Sequence, residues 1–149
     1  MIDFSLTADA VAPQLLGCTL THAGVSIRLT EVEAYLGAED SAAHTFNGKT
    51  PRNAAMFGPP GRFYVYISYG IHRNVNIVCA PEGTGQGCLL RGGEIIEGAD
   101  TAFARRGTSD FHNLARGPGN LGKALGFTLE DNHQPIQIVE RTTEPEWVC

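Results

Sequence analysis

The chain has 149 residues, 42% of them hydrophobic, which is enough for one folded domain over residues 1–149. The sequence lacks an apolar run of the roughly 18 residues that a membrane span needs, and its first residues lack the basic stretch of an export signal. We therefore expect a cytoplasmic protein with no membrane partner. The four cysteines form no Cys-x-x-Cys pair, which argues against a zinc knuckle or a disulfide framework.

The first half of the chain begins with a predicted helix over residues 8–16, which ends at Gly17. Residues 18–22 and 25–35 are rich in β-branched residues and predict two strands. Residues 37–62 are rich in Gly, Pro and Asn and predict a long ordered loop. A loop of that length inside a small domain is usually functional.

The second half predicts more sheet, followed by helices. Residues 63–69 and 73–79 predict a β-hairpin, and residues 88–96 predict another strand after a glycine-rich turn. Residues 100–106 and the segment after Gly119 predict helices. The expected fold class is α+β, a single domain with a curved, mostly antiparallel sheet, surrounding helices and a protruding hairpin.

All four tyrosines lie in the part of the chain that holds this hairpin and the strand before the long loop. If the hairpin turns about residue 71, Tyr66 lies opposite Asn76 on one face of the sheet. An aromatic ring beside an amide can stack on a nucleobase and hydrogen-bond its edge. Tyrosines that simply pack in the sheet would give the same pattern, so spacing alone leaves both interpretations open.

Glu31 and Glu33 lie two residues apart on a predicted strand, so their side chains are expected to point the same way. For Glu31 we expect an exposed acidic face. Glu33 precedes Tyr35 and His44, and a carboxylate in such a cleft can act as a general base toward water. The histidines show no close pair at helical spacing, so no metal or other cofactor is expected.

The net charge of -5 argues against a polyanionic partner, but positive charge is concentrated locally. Residues 41–93 carry five Lys and Arg against Glu82 alone, and residues 101–129 carry four against Asp110 alone. This asymmetry permits a nucleic-acid-binding surface, although ordinary scatter of surface charge would also produce it. Lys123 follows a Gly-Pro-Gly helix start whose N–H groups could meet a phosphate.

A resemblance to a known family runs from about residue 14 to residue 127. It is carried by TEVEAYLGAEDSAAHTFNGKTPRNAAMFGPPGRFYVYISYGIHRNVNIV, GCLLRGGEIIEG and ARGPGNLGKALGF. These segments resemble the alkyladenine (3-methyladenine or methylpurine) DNA glycosylases. The resemblance implies a monomeric, monofunctional base-excision-repair enzyme of the bacterial cytoplasm, associated with the nucleoid through its DNA substrate. It would flip 3-methyladenine, 7-methylguanine or hypoxanthine out of duplex DNA and hydrolyse the N-glycosidic bond.

The same resemblance implies the roles of individual residues. Glu33 matches the general base that activates the attacking water, and Arg91 matches the residue beside that water. The remaining matched positions bind the everted base or the DNA: Tyr35, His44 and Tyr66 as stacking walls, Asn76 as the amide at the pocket edge that helps to reject guanine, Tyr69 as the wedge in the helix, and Arg52, Arg73 and Lys123 as DNA contacts.

The end of the chain departs from the family pattern. It continues as EDNHQPIQIVERTTEPEWVC, where the family usually has an Arg-Ile-Gly-like run and a Pro-Trp-Arg-Phe-like close. We therefore expect a domain that is short at its C-terminus and lacks a backbone carbonyl that helps to hold the water. One alternative is a shortened homologue that binds lesions without efficient excision. A metal-dependent hydrolase using His44 and His72 ranks below both.

Overall fold

The computed structural model describes residues 2–37, 49–50, 53–68 and 70–141. The helices and strands of these residues follow in chain order: α1 (Ala8–Leu15), β1 (Thr19–His22), β2 (Val25–Tyr35), β3 (Phe63–Ser68), β4 (His72–Cys79), β5 (Gln86–Glu97), α2 (Ala99–Arg106), α3 (Pro118–Ala124) and β6 (Ile138–Val139). Short 3₁₀ helices lie at Ala54–Phe57, Phe111–Asn113 and Leu129–Asp131. The strands form one antiparallel sheet in the order β3-β4-β5-β2-β1-β6, which confirms the α+β class.

The predicted helix at the start of the chain is confirmed as α1. It ends because Leu16 is extended and Gly17 adopts a left-handed conformation at φ +85°. Its buried residues Ala8, Val11 and Leu15 follow helical spacing and join the hydrophobic core against the sheet. None of the helices in the described part of the chain is both long and apolar enough to cross a lipid bilayer.

The main hydrophobic core lies between one face of the sheet and the helices. Alternate residues of the hairpin point into it, including Phe63 and Val65 of β3 and Val75 and Ile77 of β4. The residues between them therefore point to the opposite face. Part of that opposite face is covered by the 3₁₀ helix Ala54–Phe57, whose buried residues pack with Tyr64, Val78 and Tyr66 in a second, smaller cluster.

The alternation of side chains along β2 shifts by one residue in the middle of the strand, so odd-numbered residues point into the main core before the shift and even-numbered residues after it. Ile27 and Leu29 are buried there, whereas beyond them it is Val32 and Ala34 that pack against the same core. The switch from odd to even numbers coincides with register irregularities of the β2–β5 pair between residues 29 and 32. As a consequence Glu31, Glu33 and Tyr35 point to the face opposite the core, the face that Tyr64 and Tyr66 share.

The predicted hairpin forms, but its predicted register is wrong by two residues. Tyr66 pairs with Asn74, and Asn76 pairs with Tyr64. The turn lies one residue earlier than expected, because Ser68 pairs with His72 and Gly70, at φ +72°, takes the left-handed conformation at its centre. Since side chains alternate with a period of two, Tyr66 and Asn76 still share one face, although they are not direct partners.

Candidate functional site

The carboxylate of Glu33 is the centre of the candidate site. Its Oε1 accepts a hydrogen bond from the Tyr35 hydroxyl at 2.9 Å and a second from Nη1 of Arg91 at 3.0 Å. Both donors reach the same oxygen, and no described residue donates to Oε2. The side chain is 46% exposed, so the carboxylate is accessible to water. Among the described residues, the second carboxylate oxygen is therefore left without a donor and open to water.

Arg91 reaches Glu33 because β5 lies next to β2 in the sheet. Cys88 and Leu90 point into the main core, so Arg91 points to the opposite face, where the carboxylates lie. Its Nε also forms a longer ion pair of 3.9 Å with Oε2 of Glu31. The guanidinium therefore lies between two carboxylates. As expected from the sequence, Glu31 is exposed, with 64% of its side chain accessible.

Tyr35 is held as a neutral hydrogen-bond donor. Burial, followed by the hydrogen bond to Glu33, raises the pKa of Tyr35 to about 12. The nearby Tyr66 adds to this increase, whereas Arg91 acts in the opposite direction. At neutral pH the phenol therefore keeps the proton that it donates to the carboxylate. Tyr35 lies at the end of β2 and Tyr66 in the hairpin, and both side chains point to the face of the sheet opposite the main core.

The hairpin contributes an aromatic face to this place. The rings of Tyr64 and Tyr66 lie 5.6 Å apart between centroids, with Tyr64 buried and Tyr66 half-buried. Nδ2 of Asn74 donates to the Tyr66 hydroxyl at 3.1 Å. Asn76 is buried, and its Nδ2 donates to the backbone carbonyl of Tyr64 at 3.4 Å. The amide that contacts Tyr66 is thus Asn74. The sequence did not indicate this residue, because the predicted register of the hairpin was wrong.

The structure thus brings together three of the residues assigned from the sequence, namely Glu33, Arg91 and Tyr35, and places Tyr66 on the same face of the sheet. Arg73 and Lys123 lie together elsewhere, beside the tip of the hairpin. His44, Arg52 and Tyr69 lie outside the described residues. Within the described ranges, no three His, Cys, Asp or Glu side chains lie close enough together to hold a metal ion.

Comparison with known proteins finds a matching family model and several similar proteins. The family model "Methylpurine-DNA glycosylase" matches residues 3–147. Three similar proteins carry the name "Putative 3-methyladenine DNA glycosylase". That of Corynebacterium efficiens is 67% identical over 99% of this chain and 80% of its own length. That of Corynebacterium glutamicum ATCC 13032 is 63% identical over 99% of this chain and 81% of its own length. That of Rhodopseudomonas palustris is 47% identical over 98% of this chain and 73% of its own length.

These matches place the chain among the DNA-repair glycosylases, enzymes that remove damaged bases from DNA. The chain belongs to the methylpurine-DNA glycosylase family, because the family model covers nearly its whole length. The resemblance that the sequence motifs indicated is thereby confirmed.

Proposed function

We propose that this protein hydrolyses the N-glycosidic bond of damaged purines in duplex DNA, with Glu33 as the general base. The observation that carries the proposal is the pair of donors on Oε1 of Glu33, the Tyr35 hydroxyl and Nη1 of Arg91. They fix the orientation of the carboxylate and leave Oε2 to take a proton from water. As that proton moves to Oε2, the water oxygen attacks C1′ of the deoxyribose and the base departs with the bonding electrons.

The substrate has to leave the base stack before this reaction, and aromatic side chains offset part of the cost of extrusion. Tyr35 and Tyr66 point to the same face of the sheet and can form walls for the everted purine, with His44 proposed as a further wall. Tyr69 is proposed to fill the gap in the helix, and Asn76 to help exclude guanine. Arg52, Arg73 and Lys123 are proposed to contact the DNA backbone.

The proposed lesions fall into two chemical classes. 3-Methyladenine and 7-methylguanine carry a positive charge, which aromatic faces attract by about 0.5–2 kcal/mol and which makes them good leaving groups. Hypoxanthine is neutral and needs a proton to depart. Of the two lysines, Lys49 lies in a loop segment and Lys123 beside the hairpin tip, so we propose water, and not an amine, as the nucleophile.

The test is release of free 3-methyladenine from methylated duplex DNA under single-turnover conditions. Replacing Glu33 with Gln removes the proton acceptor, and general-base catalysis contributes about 10²–10⁴-fold, so the rate should fall by at least about a hundredfold. Glu82→Gln is the matched control, because Glu82 is an exposed carboxylate in the turn between β4 and β5. Its rate should equal that of the unmodified chain.

Two outcomes would overturn the proposal. Equal rates for the Glu33→Gln and unmodified chains would exclude Glu33 as the base. Tight binding to an abasic-site analogue without any base release by the unmodified chain would indicate a lesion-binding protein instead.

A further inference from the structure

A cavity of about 350 Å³ lies away from Glu33, between the hairpin tip and the helices α2 and α3. Three cationic side chains line it: Arg73 from β4, Arg106 from the last turn of α2 and Lys123 from α3. Asp and Glu residues are absent from the described lining. We name this group of residues, with the adjoining His72, the cationic pocket.

The cationic pocket holds an excess of positive charge among the residues that the structure describes. None of them forms an ion pair or a side-chain hydrogen bond with a described residue, whereas other arginines do. Arg28 and Arg91 pair with carboxylates, and Arg105 donates to two backbone carbonyls. Three like charges that converge without a counter-charge repel one another, and a bound anion would relieve that repulsion. The pocket thus holds three of the eleven Lys and Arg residues of a chain whose formal net charge is -5.

Two glycines of α3 face β4 beside the cationic pocket. A Cβ atom at Gly122 would overlap the backbone carbonyl oxygen of Arg73, and one at Gly119 would lie 2.6 Å from Nδ1 of His72. Helix α3 can therefore approach the backbone of β4 this closely because Gly122 lacks a side chain, whereas the neighbour of Gly119 is a side chain that can rotate. The close packing places Lys123 and Arg73 on the same cavity without depending on a flexible loop.

We propose that the cationic pocket binds one phosphate of the DNA backbone beside the everted nucleotide. This inference rests on the proposed function for the identity of the anion and adds Arg106 to the residues that contact DNA. Ile71, which is 73% exposed at the hairpin tip, also lines the pocket, and the proposed wedge Tyr69 is two residues away in the chain. A phosphate held there would fix the strand next to the point where the wedge enters.

The experiment compares two variants that each remove one positive charge. Arg106→Gln alters the pocket, and Arg62→Gln alters the start of β3, at the opposite end of that strand from the tip. Glutamine at position 62 keeps a donor for the His133 carbonyl that Arg62 contacts at 3.0 Å. The measurement is the affinity for an undamaged 25-base-pair duplex at several salt concentrations, by fluorescence anisotropy, with the melting temperature of each variant as the folding check.

For the unmodified chain we expect the affinity to fall steeply as salt rises, since phosphate contacts release counterions. Arg106→Gln should weaken binding by about tenfold, and the slope of log affinity against log salt should become less steep by about 1, the value for one lost phosphate contact. Arg62→Gln should match the unmodified chain in both. Equal slopes for Arg106→Gln and the unmodified chain would overturn the proposal, as would equal losses in the two variants.

Two further comparisons complete the experiment. One distinguishes a DNA phosphate from the phosphate of a free nucleotide, and the other distinguishes failure of the phosphate site from failure of the proposed glycosylase reaction. The first comparison measures binding of deoxyadenosine monophosphate. If Arg106→Gln abolishes tight binding of this nucleotide but leaves the affinity for the duplex unchanged, the pocket binds free nucleotides and the proposed DNA contact is wrong. Because the duplex is undamaged, the result does not depend on catalysis. Loss of duplex affinity in Arg106→Gln, together with no base release by the unmodified chain, would retain the phosphate site and reject the proposed glycosylase reaction.

Discussion

At the scale of single residues, the contacts of Glu33 matter for orientation more than for folding. The ion pair with Arg91 joins side chains that are 46% and 37% exposed, and exposed ion pairs contribute only about 0–1 kcal/mol to stability. The same contact and the hydrogen bond from the Tyr35 hydroxyl both reach Oε1 of Glu33, so they fix the orientation of the carboxylate. We therefore expect substitutions here to affect the reaction far more than the melting temperature at neutral pH.

Tyr35 gives a prediction for the pH dependence of stability. Its pKa is about 12 in the folded chain against an ordinary value of 10.0, so the folded chain holds this proton more tightly than the unfolded chain. The resulting stabilisation is complete below pH 10 and is lost as the pH rises toward 12. The Tyr35→Phe variant has no such proton and should lose less stability over this range. Denaturant melts from pH 9 to 12 measure the difference, and parallel losses in both chains would contradict it.

At the scale of elements, the packing of α3 against β4 decides how the hairpin is held. Both Gly119 and Gly122 belong to this helix, where alanine would by itself be favoured by about 1 kcal/mol. The obstacle at Gly119 is the ring of His72, a side chain that can rotate away. The obstacle at Gly122 is the backbone of Arg73, which cannot move without shifting the strand.

The two glycines therefore predict opposite results for the same substitution. Gly122→Ala should lower the free energy of unfolding by about 1–3 kcal/mol or more, because the helix has to separate from β4. Gly119→Ala should change stability little, since helix propensity offsets the displaced ring. Urea unfolding of both variants is the measurement. A Gly122→Ala protein as stable as Gly119→Ala would mean that the helix and strand are not held in close contact.

At the scale of the whole molecule, an aromatic group joins segments that are distant in the chain. Phe127, which follows α3, stacks on the His22 ring of β1 at 3.9 Å between centroids and meets Phe63 of β3 edge-on at 4.8 Å. His22 in turn contacts the Leu125 carbonyl and the Asp131 carboxylate. This group connects one edge region of the sheet with the hairpin and with the segment after α3.

Removing the Phe127 ring should therefore affect the stability of the whole fold. Phe127 is fully buried, and a buried Phe→Ala substitution costs about 3–5 kcal/mol. Phe111→Ala is the control, because the same atoms are removed from a side chain that is 43% exposed. Thermal unfolding by circular dichroism compares the two. A loss for Phe127→Ala no larger than for Phe111→Ala would show that the aromatic group is not a cooperative part of the core.

Much of the fold could be predicted from the sequence because its signals are local. Gly17 ends α1, the Gly-Pro-Gly segment begins α3, and alternating residues define β3 and β4, all as predicted. The hairpin register could not be predicted, because it depended on which residue of the turn takes the left-handed conformation, and that residue was Gly70. The predicted partner of Tyr66 was wrong for this reason alone.

The sequence by itself determined the family and the candidate base, because the motifs around Glu33 and Arg91 are short segments that can be recognised without a structure. Only the tertiary structure decided that these side chains meet. An uninterrupted β2 would turn Glu31 and Glu33 toward the same side as Ile27 and Leu29, into the core. The irregular pairing with β5 reverses that direction, and such irregularities arise from contacts between strands about sixty residues apart, which local sequence patterns do not encode. The convergence of Arg73, Arg106 and Lys123 has the same origin, because three separate elements supply it.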